Sequence, residues 1–205
     1  MTASTGPDGT AQPSRQVLQT RGALLRSGRR VFEERGFHRT RIADIASGAG
    51  LSVGAFYKHF ASKNDLFRHL LMSVEDEVYG ELAVHQETVG SPGERIRQTN
   101  ELYVQAFQRN ARFWAAIEEA GLTEPESRAV LTERREYYRA RTRRAIHRWQ
   151  SQGLVSPRIN VDDTVALLGA MTERSAYLVF VFGEPVDARK LTDALTRLWL
   201  RALGL

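Results

Sequence analysis

The chain has 205 residues, 42% hydrophobic and 26% charged, which is typical of a globular protein with one large or two small domains. It contains no cysteine, and this excludes disulfides, zinc–thiolate sites and cysteine nucleophiles and fits a reducing cytoplasm. It also has no run of about 18 apolar residues and no basic, apolar leader in its first 13 residues, so we expect a cytoplasmic protein without a membrane partner.

Positive charge is concentrated near the N-terminus. Residues 14–63 carry ten Lys or Arg and three Asp or Glu, a net charge of +7, in a chain whose total is +5. The other 155 residues carry 19 basic and 21 acidic side chains, a net charge of −2. This distribution predicts a phosphate-facing module beside a nearly neutral domain.

The first predicted elements are a disordered arm and a helix. Residues 1–13 are polar, contain Gly and Pro and have few large apolar groups, which predicts disorder. Apolar residues then recur at helical spacing between a cap at Ser14 and a stop at Gly36.

Two short helices follow and meet at Gly50. Thr40 is predicted to cap the first, and Ser52 to cap the second, which extends from residue 53 to about residue 60. A steep crossing over a short turn needs a residue that adopts positive φ and little bulk at the crossing point, which Gly50 and Ala46 provide. The spacing fits a helix-turn-helix, but a hairpin in any small helical bundle has the same spacing.

The rest of the chain is predicted to be helical. A capping box at residues 62–65 opens a fourth helix that extends to about residue 78, and residues 79–93 look like a linker. Ser91 and Pro92 start a helix to about residue 109. The further predicted helices are a short segment around Trp114, a long helix over about residues 125–152 that Gly153 closes, one capped by Asp162 or Asp163 to about residue 182, and one capped by Asp187.

The order of residues in the N-terminal quarter is more specific than any single motif. It comprises Gly36-Phe37, Thr40, Asp44-Ile45-Ala46, Ala49-Gly50-Leu51-Ser52, Gly54 to Phe60 (GAFYKHF) and Ser62-Lys63 followed by Leu66. With this order residues 36–67 resemble the DNA-binding region of the TetR family of transcriptional regulators, and residues 24–36 resemble its first helix. Two positions depart from the family pattern: Arg41 replaces a small hydroxyl residue, and Ala55 replaces a common Thr.

The resemblance implies an all-α fold with an N-terminal three-helix helix-turn-helix domain at residues 14–62, after the arm at 1–13. It also implies a helical effector-binding and dimerisation domain at residues 63–205. The partner implied is double-stranded operator DNA, with the third helix in the major groove. The residues expected to contact DNA are Thr40, Arg41, Ser52, Val53, Gly54, Ala55, Tyr57, Lys58, His59 and Lys63. Thr40 and Ser52 would also act as caps in any protein, and His59 could be a packed histidine.

The C-terminal half is rich in aromatic residues on predicted helices. Most such residues form an ordinary core, but a cavity for a small-molecule effector needs an apolar lining with a few polar groups. The candidates for this lining are Asn100, Tyr103, Phe107, Trp114, Trp149, Met171, Glu173 and Tyr177. The arginine-rich residues 133–148 suggest a second nucleic-acid site, but their interspersed glutamates favour a solvated, ion-paired helix face.

The last two predicted helices carry more apolar surface than one chain's core requires. Residues 165–171 are apolar or small nearly all round, and residues 191–199 add an apolar face, which favours a homodimer. The resemblance implies that a small apolar effector releases this dimer from a palindromic operator, with repression as the family's usual mode.

Two other functions compete with this hypothesis. A sequence-nonspecific architectural DNA-binding protein needs little beyond basic surface. An enzyme needs a catalytic constellation, and the scattered histidines and absent phosphate loop or serine elbow predict no catalytic residues, no metal and no cofactor.

Overall fold

The computed structural model describes residues 15–85 and 90–205, with the backbone alone at residue 75 and at residues 78–85. Over these ranges the chain forms helices and no strand, which confirms the predicted all-α class. The helices are α1 (Arg15–Arg39), α2 (Ile42–Gly48), α3 (Val53–Tyr57), α4 (Lys63–His85), α5 (Pro92–Arg109), α6 (Ala111–Thr123), α7 (Pro125–Ser151), α8 (Val161–Phe180) and α9 (Ala188–Leu203). None of these described helices is long and apolar enough to cross a membrane.

The first helix breaks where the sequence predicts a stop. Gly36 has φ 76° and ψ 175°, a conformation open almost solely to glycine, and a last helical turn follows it. The predicted cap at Thr40 is wrong: Arg41 is the N-cap of α2, and the buried Thr40 hydroxyl donates to the Gly36 carbonyl at 2.7 Å. The expected arm and the cap at Ser14 lie outside the described residues.

The fourth helix is longer than its sequence pattern suggests. It continues to His85, so the predicted linker is wrong for residues 79–85, while residues 86–89 lie outside the described ranges. The next start signal is confirmed, because Ser91 and Glu94 form a complete capping box at the head of α5.

The two C-terminal helices also match the prediction closely. Asn160 caps α8 by accepting from the Asp163 N–H, so the predicted caps Asp162 and Asp163 are wrong by two or three positions. Asp187 caps α9 as predicted, by accepting from the N–H groups of Arg189 and Lys190.

One hydrophobic cluster links the N-terminal helices to the rest of the molecule. Phe32 and Phe37 pack on Phe67 of α4, with ring centroids 5.0 and 4.8 Å away, and Phe113 of α6 lies 5.4 Å from Phe67. A second cluster, around Ile146 and Trp149, closes the far end of the helical bundle where α5, α7, α8 and α9 meet. The N-terminal helices are therefore docked on α4 and α6.

Candidate DNA-binding surface and ligand cavities

The crossing of α2 and α3 is built from local hydrogen bonds. Gly50 takes φ 69° in the turn, and the Leu51 N–H donates to the Ala46 carbonyl at 2.9 Å. Ser52 then accepts from the Ala55 N–H at 3.1 Å and starts α3. Ala46 and Phe56 are buried, so the two short helices have a core side and a free side.

The free side of α3 carries most of the residues expected to contact DNA. Val53 and Tyr57 are 42% and 56% exposed. Ser52, Gly54 and Lys58 are also exposed. A Cβ at Gly54 would meet only Ser52 Oγ, at 3.8 Å, so packing within the chain does not require glycine there. An apposed backbone or phosphate would explain it.

Three other predicted contacts are less accessible. Ala55 and His59 are half-buried, and Thr40 is 2% exposed with its hydroxyl bonded to backbone carbonyls of the first helix. Arg41 is exposed beside α2. The structure thus exposes Arg41 and most residues of α3, and it gives Thr40 a structural role in the α1–α2 connection.

Lys63 lies at the junction between the N-terminal helices and α6. Its ammonium donates to the Phe37 carbonyl at 2.8 Å and lies 4.2 Å from the Phe37 ring centroid. Burial lowers the pKa of Lys63, and the nearby carboxylates of Glu124 and Glu119 oppose that shift. An ammonium has three donors, so a phosphate contact by Lys63 stays a prediction, but this side chain already has a role within the chain.

A carboxylate of α6 holds the end of α1. Glu119 accepts from the N–H groups of Phe37 and His38, at 2.9 and 3.2 Å, directly after the break at Gly36. A second link joins α1 to the α5–α6 connection, where Arg29 donates to Asn110 Oδ1 at 2.6 Å. The backbone that precedes α2 is therefore tied directly to α6.

Three adjoining cavities line α7 in the C-terminal part. The distal cavity, about 310 Å³, lies between α5, α7 and α9 and is walled by Ile96, Ile146, Trp149, Trp199 and Leu203. The middle cavity, about 140 Å³, shares Asn100 with it and extends toward α8. The proximal cavity, about 400 Å³, lies among α6, α7 and α8 and contains Trp114 and Tyr177.

Most of the predicted lining residues fall on these cavities. Asn100 and Trp149 line the distal cavity, Tyr103 the middle one, and Glu173 both the middle and proximal ones. Phe107, Trp114 and Tyr177 line the proximal cavity. Met171 is half-buried and packs against the hydrophobic core instead, so it lines none of the three.

The proximal cavity contains one buried polar atom without a partner. Trp114 is 7% exposed and stacks on Phe107 with ring centroids 4.8 Å apart, and its Nε1–H has no hydrogen-bond acceptor in the part of the chain that the structure describes. On the same wall burial raises the pKa of the Tyr177 hydroxyl, with the nearby Glu118 carboxylate raising it further. The cavity thus offers a donor that is costly to leave unpaired.

The sequence interpretation of the arginine-rich helix α7 was incomplete. Arg134 and Arg143 do pair with Asp76 and Asp162, both at 2.5 Å, as a solvated ionic face would. Arg141, Arg144 and Arg148 instead line the distal cavity. The signal was their spacing of three and four residues, which puts them on one side of the helix near Trp149.

Together the fold and this surface define a class of protein: a helical protein with an N-terminal helix-turn-helix docked on a larger helical body. Residues 24–70 match the family model of bacterial regulatory proteins, tetR family. The N-terminal part of the chain therefore matches the TetR family, in agreement with the resemblance in its sequence.

Two curated relatives show how far this similarity extends. The HTH-type transcriptional repressor KstR2 of Mycobacterium tuberculosis is 34% identical over 93 residues, 45% of this chain and 45% of that protein. The chain thus matches about half the length of that relative. The HTH-type transcriptional regulator UidR of Escherichia coli is 27% identical over 161 residues, 77% of this chain and 80% of that protein.

Solved structures extend the similarity in fold over nearly the whole chain. A transcriptional regulator from Saccharomonospora viridis in complex with choline superposes with a TM-score of 0.76 and 20% identity, covering 90% of this chain and 96% of that one. At this identity the comparison establishes the shared fold alone.

Proposed function

We propose that this chain is a ligand-responsive, DNA-binding transcriptional regulator that acts as a repressor. It binds a palindromic operator as a homodimer and leaves it when a small, mainly apolar effector occupies the helical body. The observation that carries the proposal is the exposed side of α3 beside the basic N-terminal quarter. Two relatives named as a repressor and a regulator support it.

The DNA-binding step follows from the accessible side chains. Tyr57 and Lys58 end α3 and are exposed, where a hydroxyl and an ammonium can reach phosphates while Val53 and Gly54 face base edges. We expect two such helices in a dimer to enter successive major grooves, about 34–36 Å apart.

The test is a binding titration with a sequence selected from random DNA, compared with random DNA, across a salt series. We expect Lys58→Ala to weaken binding to the selected and to the random DNA. We also expect the slope of log affinity against log salt concentration to fall in magnitude by about 0.9, because one phosphate contact is lost. Arg158→Ala, an exposed charge in the turn after α7, is the control. Equal affinity for the selected and random DNA would instead identify an architectural DNA-binding protein.

The homodimer rests on exposed apolar groups of the last two helices. Leu167 of α8 is 71% exposed and Leu198 of α9 is 47% exposed, although both helices bury other faces in the core. We expect a dimer in light scattering at micromolar concentration, and we expect Leu167→Glu to give a folded monomer with weak operator binding. A monomeric parent protein would contradict this part of the proposal.

A path between effector and DNA runs through α6. Trp114 and Glu118 face the proximal cavity, and the next residue, Glu119, holds the backbone after Gly36. A ligand that binds one position of α6 more tightly alters DNA affinity, and a coupling of about 1–3 kcal/mol suffices for a 5- to 150-fold change. Helix α4, which follows the N-terminal helices directly in the chain, is a second element through which we expect ligand binding to alter DNA affinity.

Trp114→Phe tests this path because it keeps the aromatic ring and removes the unpartnered N–H. We expect nearly unchanged operator affinity and a weaker response to effectors found by a thermal-shift screen. Thr132→Val is the control, because it removes an exposed hydroxyl of α7 that lines none of the three cavities. A full response from the Trp114 variant would place the coupling elsewhere.

A further inference from the structure

The distal and proximal cavities differ in how their arginines are used. In the proximal cavity Arg174 pairs with Glu118 at 3.3 Å, and Arg128 donates to the carbonyls of Gly121 and Leu122 at 3.0 and 2.6 Å. Arg135 is paired with Glu173. These three guanidinium groups are engaged within the chain, whereas Arg139, the fourth arginine of this wall, has no acidic partner within ion-pair distance among the described residues. One of the four arginines of the proximal cavity is therefore unpaired.

Among the described residues, the distal cavity is lined by four arginines and by no carboxylate. Three of them, Arg95, Arg144 and Arg148, have no acidic partner within ion-pair distance among the described residues. Arg95 is half-buried and its Nε is enclosed without a hydrogen-bond partner, while Arg144 and Arg148 are exposed at the rim. Cationic charge enclosed in this way is costly unless an anion compensates it.

Large apolar side chains make up much of the remaining wall of the distal cavity. Trp149 is 7% exposed, Ile146 is fully buried, and Trp199 is fixed by its hydrogen bond to Thr172. The volume of about 310 Å³ is in the range of small-molecule sites and continues into the middle cavity. A matching molecule has an apolar body for this wall and an anionic head for the arginines.

We propose that the distal cavity binds a small organic anion with an apolar body and a carboxylate or phosphate head. The inference rests on the proposed function, because it specifies the chemistry of that function's effector, whose apolar body extends from the distal cavity through the adjoining middle cavity toward the proximal one. Arg95 receives the head at depth, and Arg144 and Arg148 close over it from the rim through charge-assisted, bidentate hydrogen bonds.

The test is calorimetric titration of the full chain without DNA, using four probes with the same ten-carbon chain. Decanoate and decyl phosphate carry the two candidate heads, decanol is neutral, and decylammonium is cationic. We expect one or both anions to bind about tenfold or more tightly than decanol, with no binding of decylammonium and a loss of affinity in high salt. Decanol binding as tightly as both anions would overturn the proposal.

Paired variants locate the site. We expect Arg95→Gln with Arg148→Gln to lower the affinity for the better anion by about tenfold or more. The matched control, Arg97→Gln with Arg143→Gln, removes the same charge from α5 and α7 at residues that pair with Asp193 and Asp162. Equal losses of anion affinity in the two double variants would overturn the assignment of the binding site to the distal cavity.

The probe series uses the unmodified protein, so a variant that fails to fold leaves the test intact. The test of anion binding and the test of DNA binding are also independent of each other. Sequence-specific DNA binding without anion binding would overturn this inference and keep the regulator. Anion binding without DNA binding would keep the site and overturn the proposed function.

Discussion

The DNA-binding surface and the ligand cavities are assembled in opposite ways. Arg41 and the exposed residues of α3 lie within 18 consecutive residues, and their positions follow from one turn, one cap and one small core. The distal cavity joins Ile96 of α5, Trp149 of α7 and Leu203 of α9, which are far apart in sequence. A local pattern therefore encodes the first site, whereas only helix packing creates the second.

The largest expected effect is at the junction of the two regions. Gly36→Ala forces a side chain into a conformation open almost solely to glycine and brings its Cβ to 2.4 Å from Glu119 Oε2. We expect a loss of about 3 kcal/mol in the free energy of unfolding, roughly 10 °C in Tm, and weaker DNA binding. Thermal unfolding by circular dichroism measures the change.

Gly153→Ala provides the matched control for that variant. Gly153 also has positive φ, 70°, but a Cβ there would meet nothing within 4 Å. We expect a loss of about 1 kcal/mol from backbone strain alone. Equal losses at the two glycines would show that contact with Glu119 contributes nothing.

The next largest effect concerns how firmly the N-terminal helices are docked on α6, as distinct from how stably they fold. Glu119→Gln keeps one acceptor for the N–H groups of Phe37 and His38 but loses the charge and the second oxygen, at a cost of about 2 kcal/mol. We expect faster amide hydrogen exchange at these two positions. Glu34→Gln, which removes an exposed ion pair with Arg30, should cost less than about 0.5 kcal/mol. Unchanged amide hydrogen exchange at Phe37 and His38 in the Glu119 variant would show that Glu119 does not hold the end of α1.

The sequence predicted the N-terminal region almost residue by residue because its signals are local. Ser52 caps α3 and Gly50 takes positive φ, both as expected from residues a few positions away. Thr40 is not the cap that was expected, because its hydroxyl turns back to the Gly36 carbonyl at the break in α1. The bond from Lys63 to the Phe37 carbonyl was not foreseen, because its acceptor lies 26 residues away on α1. Propensity alone cannot predict which neighbour a polar side chain will meet.

In the C-terminal region the sequence predicted the helices and most cavity residues but not the character of the cavity. Aromatic and polar candidates such as Trp149 and Asn100 could be found by residue type. The contribution of Arg95 could not, since it depends on α5 lying against the arginine face of α7. Met171 failed as a candidate because the same periodicity describes a core side and a cavity side of α8.

Two helix-capping serines, one in each region, test whether the two regions act separately. Each Ser→Ala variant should lose about 1 kcal/mol in the free energy of unfolding. Ser52 and Ser91 each accept a hydrogen bond from the N–H three residues later, so Ser52→Ala and Ser91→Ala should lose similar stability in urea unfolding. We expect DNA affinity to fall markedly for Ser52→Ala alone, because α3 has five residues and forms the proposed DNA-contacting surface. Comparable loss of DNA binding in the Ser91 variant would show that the two regions are not separable.

The smallest effect is electrostatic, at Asp65 in the first turn of α4. Its carboxylate accepts from the Ala61 N–H at 3.0 Å, pairs with Arg68 at 2.9 Å and faces His69 at 3.7 Å. Burial alone would raise the pKa of Asp65, but the hydrogen bonds from Ala61 and Arg68 and the charges of His69 and Arg68 lower it below its ordinary value.

A folded-state pKa below the unfolded one stabilises the native state above the unfolded pKa, and this contribution is lost as the pH falls through the folded pKa. Asp65→Asn should therefore be less stable than the parent by about 0.3–1 kcal/mol at neutral pH, and the difference should vanish as the pH falls through the lowered folded-state pKa. Glu94→Gln is the counterpart in the C-terminal region, where hydrogen bonds from the Ser91 N–H and hydroxyl lower the pKa of Glu94. Its urea midpoint should converge with that of the parent in the same acidic range. If the difference in stability between Asp65→Asn and the parent persists at low pH, the amide disturbs packing at the α4 terminus and the removed charge is not the cause.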